Sequence, residues 1–188
     1  LTGTSGPNLL KGAEGADLIR GLVGWDTLIG HGGNDTLDGG MGGDSIDGGA
    51  GNDLVLVHGT EMQGDRITGG NGTDTLRIAG ATDLTVTSLS GVSGIEVLDG
   101  MRHSLRGTAG ADSISLAGFS TVTRLKGIQG LDGNDLLVGS SGADALDGGE
   151  GVDTVRGGAG NDTIVIRGAE AERDVINGGA GQDRIVIG

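Results

Sequence analysis

A nine-residue repeat constrains this chain more than any other feature of its sequence. Residues 148–165 contain two consecutive copies of the pattern Gly-Gly-x-Gly-x-Asp-x-aliphatic-x. Glycine adopts positive φ at little steric cost, so we expect the glycines and the Asp to form a tight turn with inward-facing carbonyls. The last three residues predict a short strand with one inward side chain. A single copy buries almost nothing, but stacked copies bury a continuous aliphatic column, so the repeat predicts a solenoid.

The repeat extends over most of the chain in two arrays. Copies of the first array begin at Gly3, Gly12, Gly21, Gly30, Gly39, Gly48, Thr60 and Gly69. Copies of the second begin at Gly107, Gly130, Gly139, Gly148, Gly157, Ala169 and Gly178. The sixth position is Asp in every copy except the first, which has Asn8, and the eighth position is always Leu, Ile or Val. Composition alone cannot produce this joint regularity.

The arrays predict the domain organisation. Residues 1–77 form the first array, 107–188 form the second, and 78–106 are longer solenoid turns that join them. The sequence from Gly48 aligns with the sequence from Gly157, including a three-residue skip before Thr60 and Ala169. This match has two explanations, a longer turn at the end of an array or a duplication. Residues 78–129 show strand-like alternation without a helical period, so we expect them to continue one solenoid, with Val122 and Leu125 facing inward.

Composition and charge exclude several classes of protein. The 188 residues include 44 Gly, one Trp, one Phe and no Tyr, which is too little bulk for an ordinary globular core. The formal charge is −14 and there is no Cys, so neither a disulfide framework nor nucleic-acid binding is expected. No apolar run is long enough to span a membrane. The chain begins at Leu1 without a signal-peptide pattern, so we expect a fragment of a larger protein.

The turn chemistry points to a hard cation. Asp at a fixed turn position among glycine carbonyls gives an all-oxygen site, which suits calcium better than magnesium. Without thiols, and with scattered histidines, zinc and copper are disfavoured. If each copy is half a turn, copies n and n+2 share an edge. Asp17, Asp35 and Asp53 then line one edge, and Asp26 and Asp44 line the other. Trp25 lies at a loop position where an exposed indole is expected.

The GGxGxDxUx copies resemble the RTX family of type I-secreted bacterial proteins. The resemblance implies an all-β parallel β-roll or β-helix solenoid that binds several calcium ions, each held between loops n and n+2. It also implies flanking domains of a larger protein and a type I secretion apparatus as partners, with localisation outside the cell or at its surface. A secretion signal is not visible after Val186.

The resemblance also implies which residues bind calcium. The earlier loop contributes the carbonyls of positions two and four and its Asp, and the later loop contributes the carbonyls of positions one and three and its Asp. In the first array this gives Ala13, Gly15 and Asp17 with Gly30, Gly32 and Asp35; Leu22, Gly24 and Asp26 with Gly39, Met41 and Asp44; His31, Gly33 and Asp35 with Gly48, Ala50 and Asp53; and Gly49, Gly51 and Asp53 with Gly69, Asn71 and Asp74. In the second array it gives Leu131, Gly133 and Asp135 with Gly148, Glu150 and Asp153; Ser140, Gly142 and Asp144 with Gly157, Ala159 and Asp162; and Gly158, Gly160 and Asp162 with Gly178, Ala180 and Asp183. Asp65, Asp112 and Asp174 are further candidate ligands without an assigned partner, and Asn8 predicts a weaker or empty site.

The preferred function is a non-catalytic calcium-binding module that folds on calcium outside the cell and stabilises or positions its parent protein. One alternative is an adhesive or surface-layer module. The other is a polysaccharide-modifying β-helix of the epimerase or lyase type, although the chain lacks the aromatic residues of a sugar platform. The sequence shows no Ser-His-Asp, Cys-His or zinc-ligand spacing, and Arg102, His103 and Arg106 are expected to be surface residues.

Overall fold

The structure is a computed structural model that describes residues 1–59, 62–168 and 170–188. Within these ranges it is all-β, with one short 3₁₀ turn at Ala171–Arg173. The strands are β1 Leu9–Lys11, β2 Leu18–Val23, β3 Thr27–Gly32, β4 Thr36–Met41, β5 Ser45–Ala50, β6 Leu54–His58, β7 Arg66–Asn71, β8 Thr75–Ala79, β9 Leu84–Thr85, β10 Val92–Ser93, β11 Val97–Asp99, β12 Ser104–Arg106, β13 Ser113–Ser115, β14 Thr121–Thr123, β15 Gly127–Asp132, β16 Leu136–Val138, β17 Ala145–Glu150, β18 Thr154–Ala159, β19 Thr163–Ile166, β20 Val175–Ala180 and β21 Arg184–Ile187. The parallel pairing of these strands confirms the predicted solenoid. The first residues of two copies, Thr60 and Ala169, lie outside the described ranges.

The chain divides into two compact units that interleave in sequence. Unit 1 contains residues 1–84 and 90–101, and unit 2 contains residues 85–89 and 102–188. In unit 1 one sheet has the order β1-β3-β5-β7-β10, and the other runs β2-β4-β6-β8-β11. In unit 2 the corresponding orders are β12-β15-β17-β19-β21 and β13-β16-β18-β20. In unit 1, odd- and even-numbered copies therefore build opposite faces of the coil. In unit 2 the copies from Gly130 onward alternate in the same way, but the copy at Gly107 lies in the same sheet as the next copy, at Gly130.

The register stacks copies on the copy two later, except that the copy at Gly107 stacks on the next copy, at Gly130. Ile19 pairs with Leu37, eighteen residues on, and Ile46 pairs with Ile67 across the three-residue skip. The strands are longer than predicted: β2 includes the first three positions of the next copy, because Leu22 pairs with Gly40. The expectation that these glycines belong only to a turn is therefore wrong. Parallel stacking brings their backbone groups beside those of the next turn, where they form a ladder.

The eighth-position side chains form the core. Those in the middle of each unit are 0–2% exposed, namely Ile19, Leu28, Leu37, Ile46, Val55, Ile67, Leu76, Ile114, Leu137, Leu146, Val155 and Ile164. Burying one such side chain contributes about 1.5–3 kcal/mol. Ile185 in β21 is 54% exposed, since no further turn of the described chain covers it. The core is thus a column of aliphatic side chains in each unit, with one residue from each copy.

The stretch 78–129 contains short strands and no helix. Leu84, Leu98, Leu105 and Leu116 are fully buried there, and Phe119 is 7% exposed. Val122 and Leu125, predicted to face inward, are only half-buried. The fully buried leucines of this stretch are therefore not spaced nine residues apart, as the core residues of the repeat are.

No helix in the described ranges has the length and apolar character needed to cross a membrane.

Candidate metal sites

Stacked loops are joined by a hydrogen bond between their sixth-position aspartates. The Asp26 amide donates to Asp44 Oδ1 over 2.8 Å, and the Asp35 amide donates to Asp53 Oδ1 over 2.7 Å. The same bond links Asp17 to Asp35, Asp44 to Asp65, Asp53 to Asp74, Asp112 to Asp135, Asp135 to Asp153, Asp144 to Asp162, Asp153 to Asp174 and Asp162 to Asp183. Asp65, Asp112 and Asp174, which had no assigned partner, thus lie in the same ladders as the other aspartates.

The second carboxylate oxygen of most of these aspartates is buried and unpaired. Oδ2 has no hydrogen-bond partner in Asp26, Asp35, Asp44, Asp53, Asp74, Asp135, Asp153 and Asp162. These residues are 0–2% exposed. A buried ionised carboxylate without a partner is strongly destabilising, so such groups are normally paired or coordinate a metal. A row of bound cations would satisfy this repeated unpaired oxygen.

The glycine at position one leaves space beside each of these oxygens. A Cβ added to Gly48 would contact Asp53 Oδ2 and the Gly69 carbonyl of the next turn. The same pair of oxygens lies beside Gly12, Gly21, Gly30, Gly107, Gly130, Gly139 and Gly157. The position-one carbonyl of the later loop and the carboxylate of the earlier loop therefore converge on one place, as the ligand assignment requires.

Two further carbonyls of the earlier loop face the later loop. The carbonyl of His31 at position two lies against Gly49, and that of Gly33 at position four lies against Gly51. Both glycines have positive φ, 101° and 131°, a backbone conformation that is costly for any residue with a side chain. The same approach recurs between Leu22 and Gly40, Gly24 and Gly42, Leu131 and Gly149, Gly133 and Gly151, Gly158 and Gly179, and Gly160 and Gly181.

The third-position carbonyls of the later loop are already engaged. The Met41 carbonyl accepts from the Gly24 amide over 2.8 Å, and the Ala50 carbonyl accepts from the Gly33 amide over 2.8 Å. A carbonyl oxygen has two lone pairs, so each retains capacity for a second partner. The Asn71 and Glu150 carbonyls accept in the same way from Gly51 and Gly133.

Burial makes the ladder carboxylates hard to ionise in the absence of a cation. The pKa of Asp135 is raised to about 6, mainly by desolvation; the charges of Asp153, Asp112 and Asp132 also raise it, and the hydrogen bond from the Asp112 amide lowers it. Desolvation is also the main cause of the raised pKa of Asp44, Asp53, Asp74, Asp153 and Asp162. A divalent cation between two such carboxylates offsets both the desolvation and the repulsion.

The loops that have no repeat copy one turn earlier, here called the leading loops, are built differently. In them the position-two amide donates to the loop's own sixth-position side chain, as Ala13 does to Asp17 and Ser140 to Asp144, both over 2.7 Å. The same bond joins Thr4 to Asn8 and Thr108 to Asp112. Accordingly Asp17, Asp112 and Asp144 are not among the unpaired carboxylates. Three of the four leading loops have a hydroxyl residue at position two, namely Thr4, Thr108 and Ser140. This feature of the sequence distinguishes most leading loops, and the sequence analysis missed it.

Position five carries a second ladder that the nine-residue pattern treats as arbitrary. Asn34 Oδ1 accepts from the Asn52 amide over 2.8 Å, and Asn52 Oδ1 accepts from the Thr73 amide over 2.8 Å. In unit 2, Asn134 and Asn161 accept in the same way from Val152 and Gln182. The recurrence of Asn beside the Asp in these copies was the available signal. Trp25 at this position is 76% exposed, as expected.

The donor set fits calcium. Its charged ligands are paired carboxylates from successive turns, and its neutral ligands are backbone carbonyls. Hard cations of irregular coordination geometry take such oxygen ligands. In the described part of the chain, no group of three or more His, Asp or Glu side chains is placed to hold a metal ion by itself. That agrees with sites in which the backbone supplies most of the ligands.

Comparison with protein families gives one result. The model of the RTX calcium-binding nonapeptide repeat matches residues 2–37, 20–55, 64–77, 129–164 and 169–187, which together are more than half of the chain. No curated protein matches. The matched segments contain all of the ladder aspartates except Asp112. The chain therefore belongs to the RTX calcium-binding nonapeptide repeat family.

Proposed function

We propose that the chain is a non-catalytic calcium-binding β-roll module that holds ions between loop n and loop n+2. The observation that carries this proposal is the unpaired, buried Oδ2 repeated along both units. Each site would combine this oxygen and the carboxylate of the next turn with the carbonyls of positions two and four of the earlier loop and positions one and three of the later loop. The residues are those assigned in the sequence analysis.

Calcium would also determine whether the module folds. Without a cation, the folded state places unpaired carboxylates in a buried row and fixes many glycines, which lose more backbone entropy than other residues. Binding that occurs only in the folded state adds its free energy to folding, and several sites make the response steep. Extracellular calcium modules bind at about 10⁻⁴–10⁻³ M. The chain would therefore stay unfolded at cytosolic calcium and fold after export, stabilising its parent protein outside the cell.

The sites led by Ala13 and Ser140 are expected to be weaker than the others. Their aspartates, Asp17 and Asp144, already accept hydrogen bonds from the position-two amides. Coordination of calcium must compete with those bonds. In the interior sites the corresponding oxygen has no partner to lose.

The test is a matched pair of variants in unit 1. Asp53→Asn keeps the shape and the acceptor of the ladder bond from Asp35 but removes the charge shared by the Asp35 and Asp74 sites. Asp47→Asn removes one charge from an exposed position of β5. We expect Asp53→Asn to bind fewer calcium ions in equilibrium dialysis, and to need more calcium to gain β-structure in circular dichroism. Asp47→Asn should match the wild type. Equal behaviour of both variants, or full folding of the wild type in excess chelator, would contradict the proposal.

A further inference from the structure

A turn outside the nonapeptide repeats closes the last loop of unit 1. Strand β10 pairs with β7 so that Ser93 lies opposite Thr68, and β11 pairs with β8 so that Val97 lies opposite Thr75. Between these anchors the repeat loop has six residues, 69–74, whereas the turn above it has three, 94–96. This short turn stacks on the repeat loop as one repeat loop stacks on another, although it lies outside the segments that match the family.

Glu96 occupies the place of the sixth-position Asp in this turn. The Asp74 amide donates to Glu96 Oε2 over 2.9 Å, as the Asp53 amide donates to Asp74 Oδ1 over 2.8 Å. The amide of Val97 donates to the Asp74 carbonyl over 3.0 Å, which repeats the backbone bond found after each ladder Asp. The extra methylene of Glu lets its carboxylate reach the ladder from a turn that is three residues shorter.

The short turn also replaces the position-one carbonyl. A Cβ added to Gly69 would contact the Gly94 carbonyl and would lie 2.6 Å from Asp74 Oδ2. In a regular pair of loops, the position-one carbonyl of the later loop takes this place, as the Gly69 carbonyl does beside Gly48. A Cβ on Gly94 would lie 3.8 Å from the Gly70 carbonyl, so a second-position carbonyl is also close. Ile95, 4% exposed, fills the space of the missing residues.

Asp74 supplies an independent indication of a ligand. It is 0% exposed, and its Oδ2 is buried without a hydrogen-bond partner. Two carboxylates therefore lie side by side, that of Asp74 fully buried with one unpaired oxygen and that of Glu96 half-buried. A divalent cation would neutralise both and satisfy that oxygen.

A short turn in unit 2 has the opposite charge at the matching place. Arg124, with φ 55°, corresponds to Gly94, with φ 58°, and Lys126 precedes β15 as Glu96 precedes β11. Arg124 and Lys126 line a cavity of about 350 Å³ together with Asp144. In this cavity the Asp144 carboxylate already has hydrogen-bond partners, because its Oδ2 accepts from the amide and the hydroxyl of Ser140. Only the acidic turn of unit 1 faces an unpaired carboxylate.

We propose that Asp74, Glu96 and the Gly94 and Gly70 carbonyls form a calcium site beyond the nonapeptide repeats, which closes the cation row of unit 1. The proposal rests on the proposed function, since the site extends a row of calcium sites. It adds a ligand type, Glu, and a three-residue turn that the repeat pattern does not contain. It gives the stretch 78–106 a role in metal binding as well as in covering the core.

Three variants of the full chain test this site. Glu96→Gln keeps an oxygen acceptor for the Asp74 amide and removes the charge, and Glu96→Asp keeps the charge but is too short for the shortened turn. Asp47→Asn is the control for the loss of one exposed charge. We expect both Glu96 variants to bind one calcium ion fewer per chain than the wild type in equilibrium dialysis. Asp47→Asn should bind the wild-type number.

A crystal of the wild-type chain grown in calcium gives a test that does not depend on how the variants fold. We expect an anomalous difference peak between Asp74 and Glu96. Peaks between the repeat loops with none at Glu96, or an unchanged calcium number in folded Glu96→Gln, would overturn this site and leave the proposed function intact. A wild-type chain that binds no calcium would overturn both.

Discussion

At the scale of single residues, the second position of each copy shows how stacking imposes a backbone conformation. Interior copies with glycine-rich turns have positive φ there, including the non-glycine residues Leu22 at 85°, His31 at 77° and Leu131 at 83°, whereas Glu170, in a copy without the turn glycines, has φ −91°. Ala13, in a leading loop, is not among the residues with positive φ. A left-handed conformation costs an L-residue about 1–2 kcal/mol, so these three side chains are retained against local strain.

Replacing His31 by glycine should therefore stabilise the fold. The side chain of His31 is exposed, and glycine removes the left-handed penalty while adding entropy to the unfolded chain. The expected net gain is about 0.5–1 kcal/mol in the free energy of unfolding. Ala13→Gly, at the same position one turn earlier, should lower that free energy by about 0.5–1 kcal/mol, because there only the entropy term applies. Urea unfolding in saturating calcium measures both, and a change of the same sign in the two variants would refute this account.

At the scale of loops and strands, the sequence predicts the parts that repeat strictly and misses those that vary. The sixth and eighth positions recur in nearly every copy, so the Asp ladder and the aliphatic core could be read from spacing. The position-five Asn ladder could not, because only four copies have Asn there and the others have Pro, Ala, Trp, Gly, Thr, Val, Arg or Gln. Glu96 was missed because a shorter turn and a longer side chain compensate each other and break the nine-residue count. The remaining signal was an acidic residue two before a buried aliphatic one, Leu98.

The Asn ladder predicts a loss of stability on Asn52→Ala. This change removes the oxygen that accepts from the Thr73 amide and leaves that amide to water. A single hydrogen bond of this kind is worth about 0.5–1.5 kcal/mol, and we expect a loss of that size in calcium-saturated protein. Trp25→Ala is the matched control, since Trp25 occupies the same position and is 76% exposed. Thermal unfolding followed by circular dichroism measures the difference, and equal midpoints for the two variants would count against the ladder.

At the scale of the whole molecule, the sequence predicts a solenoid but not its division into units. Unit 2 includes residues 85–89, while residues 90–101, which follow them, belong to unit 1. The amide of Ser113 donates to the Thr87 carbonyl, and Ile67 donates to the Gly91 carbonyl, so neighbouring residues join different units. Sequence spacing cannot show this, because the nine-residue period is absent where the chain interleaves. That the whole chain forms one continuous solenoid stays a prediction.

The charge of the whole molecule gives the last prediction, an opposite pH dependence with and without calcium. In calcium-free folded protein, burial raises the pKa of Asp135 from 3.8 to about 6 and raises that of five other ladder aspartates. A raised carboxyl pKa means that the folded state binds more protons than the unfolded state between these values, so stability is greatest below pH 4 and falls as pH rises through 6. One pKa unit corresponds to about 1.4 kcal/mol, so Asp135 alone contributes on the order of 3 kcal/mol.

Calcium reverses this trend, because it binds the ionised carboxylates and competes with their protons. We expect the β-structure of decalcified protein, followed by circular dichroism, to increase as pH is lowered from 7 to 4, and urea midpoints in millimolar calcium to rise with pH over the same range. Asp135→Asn should flatten the calcium-free curve, since its amide does not titrate, while the exposed Asp47→Asn should leave the slope unchanged. Calcium-free β-structure that increases with pH would show that the buried carboxylates are already neutralised by the protein itself, and that the unpaired Oδ2 atoms do not require a cation.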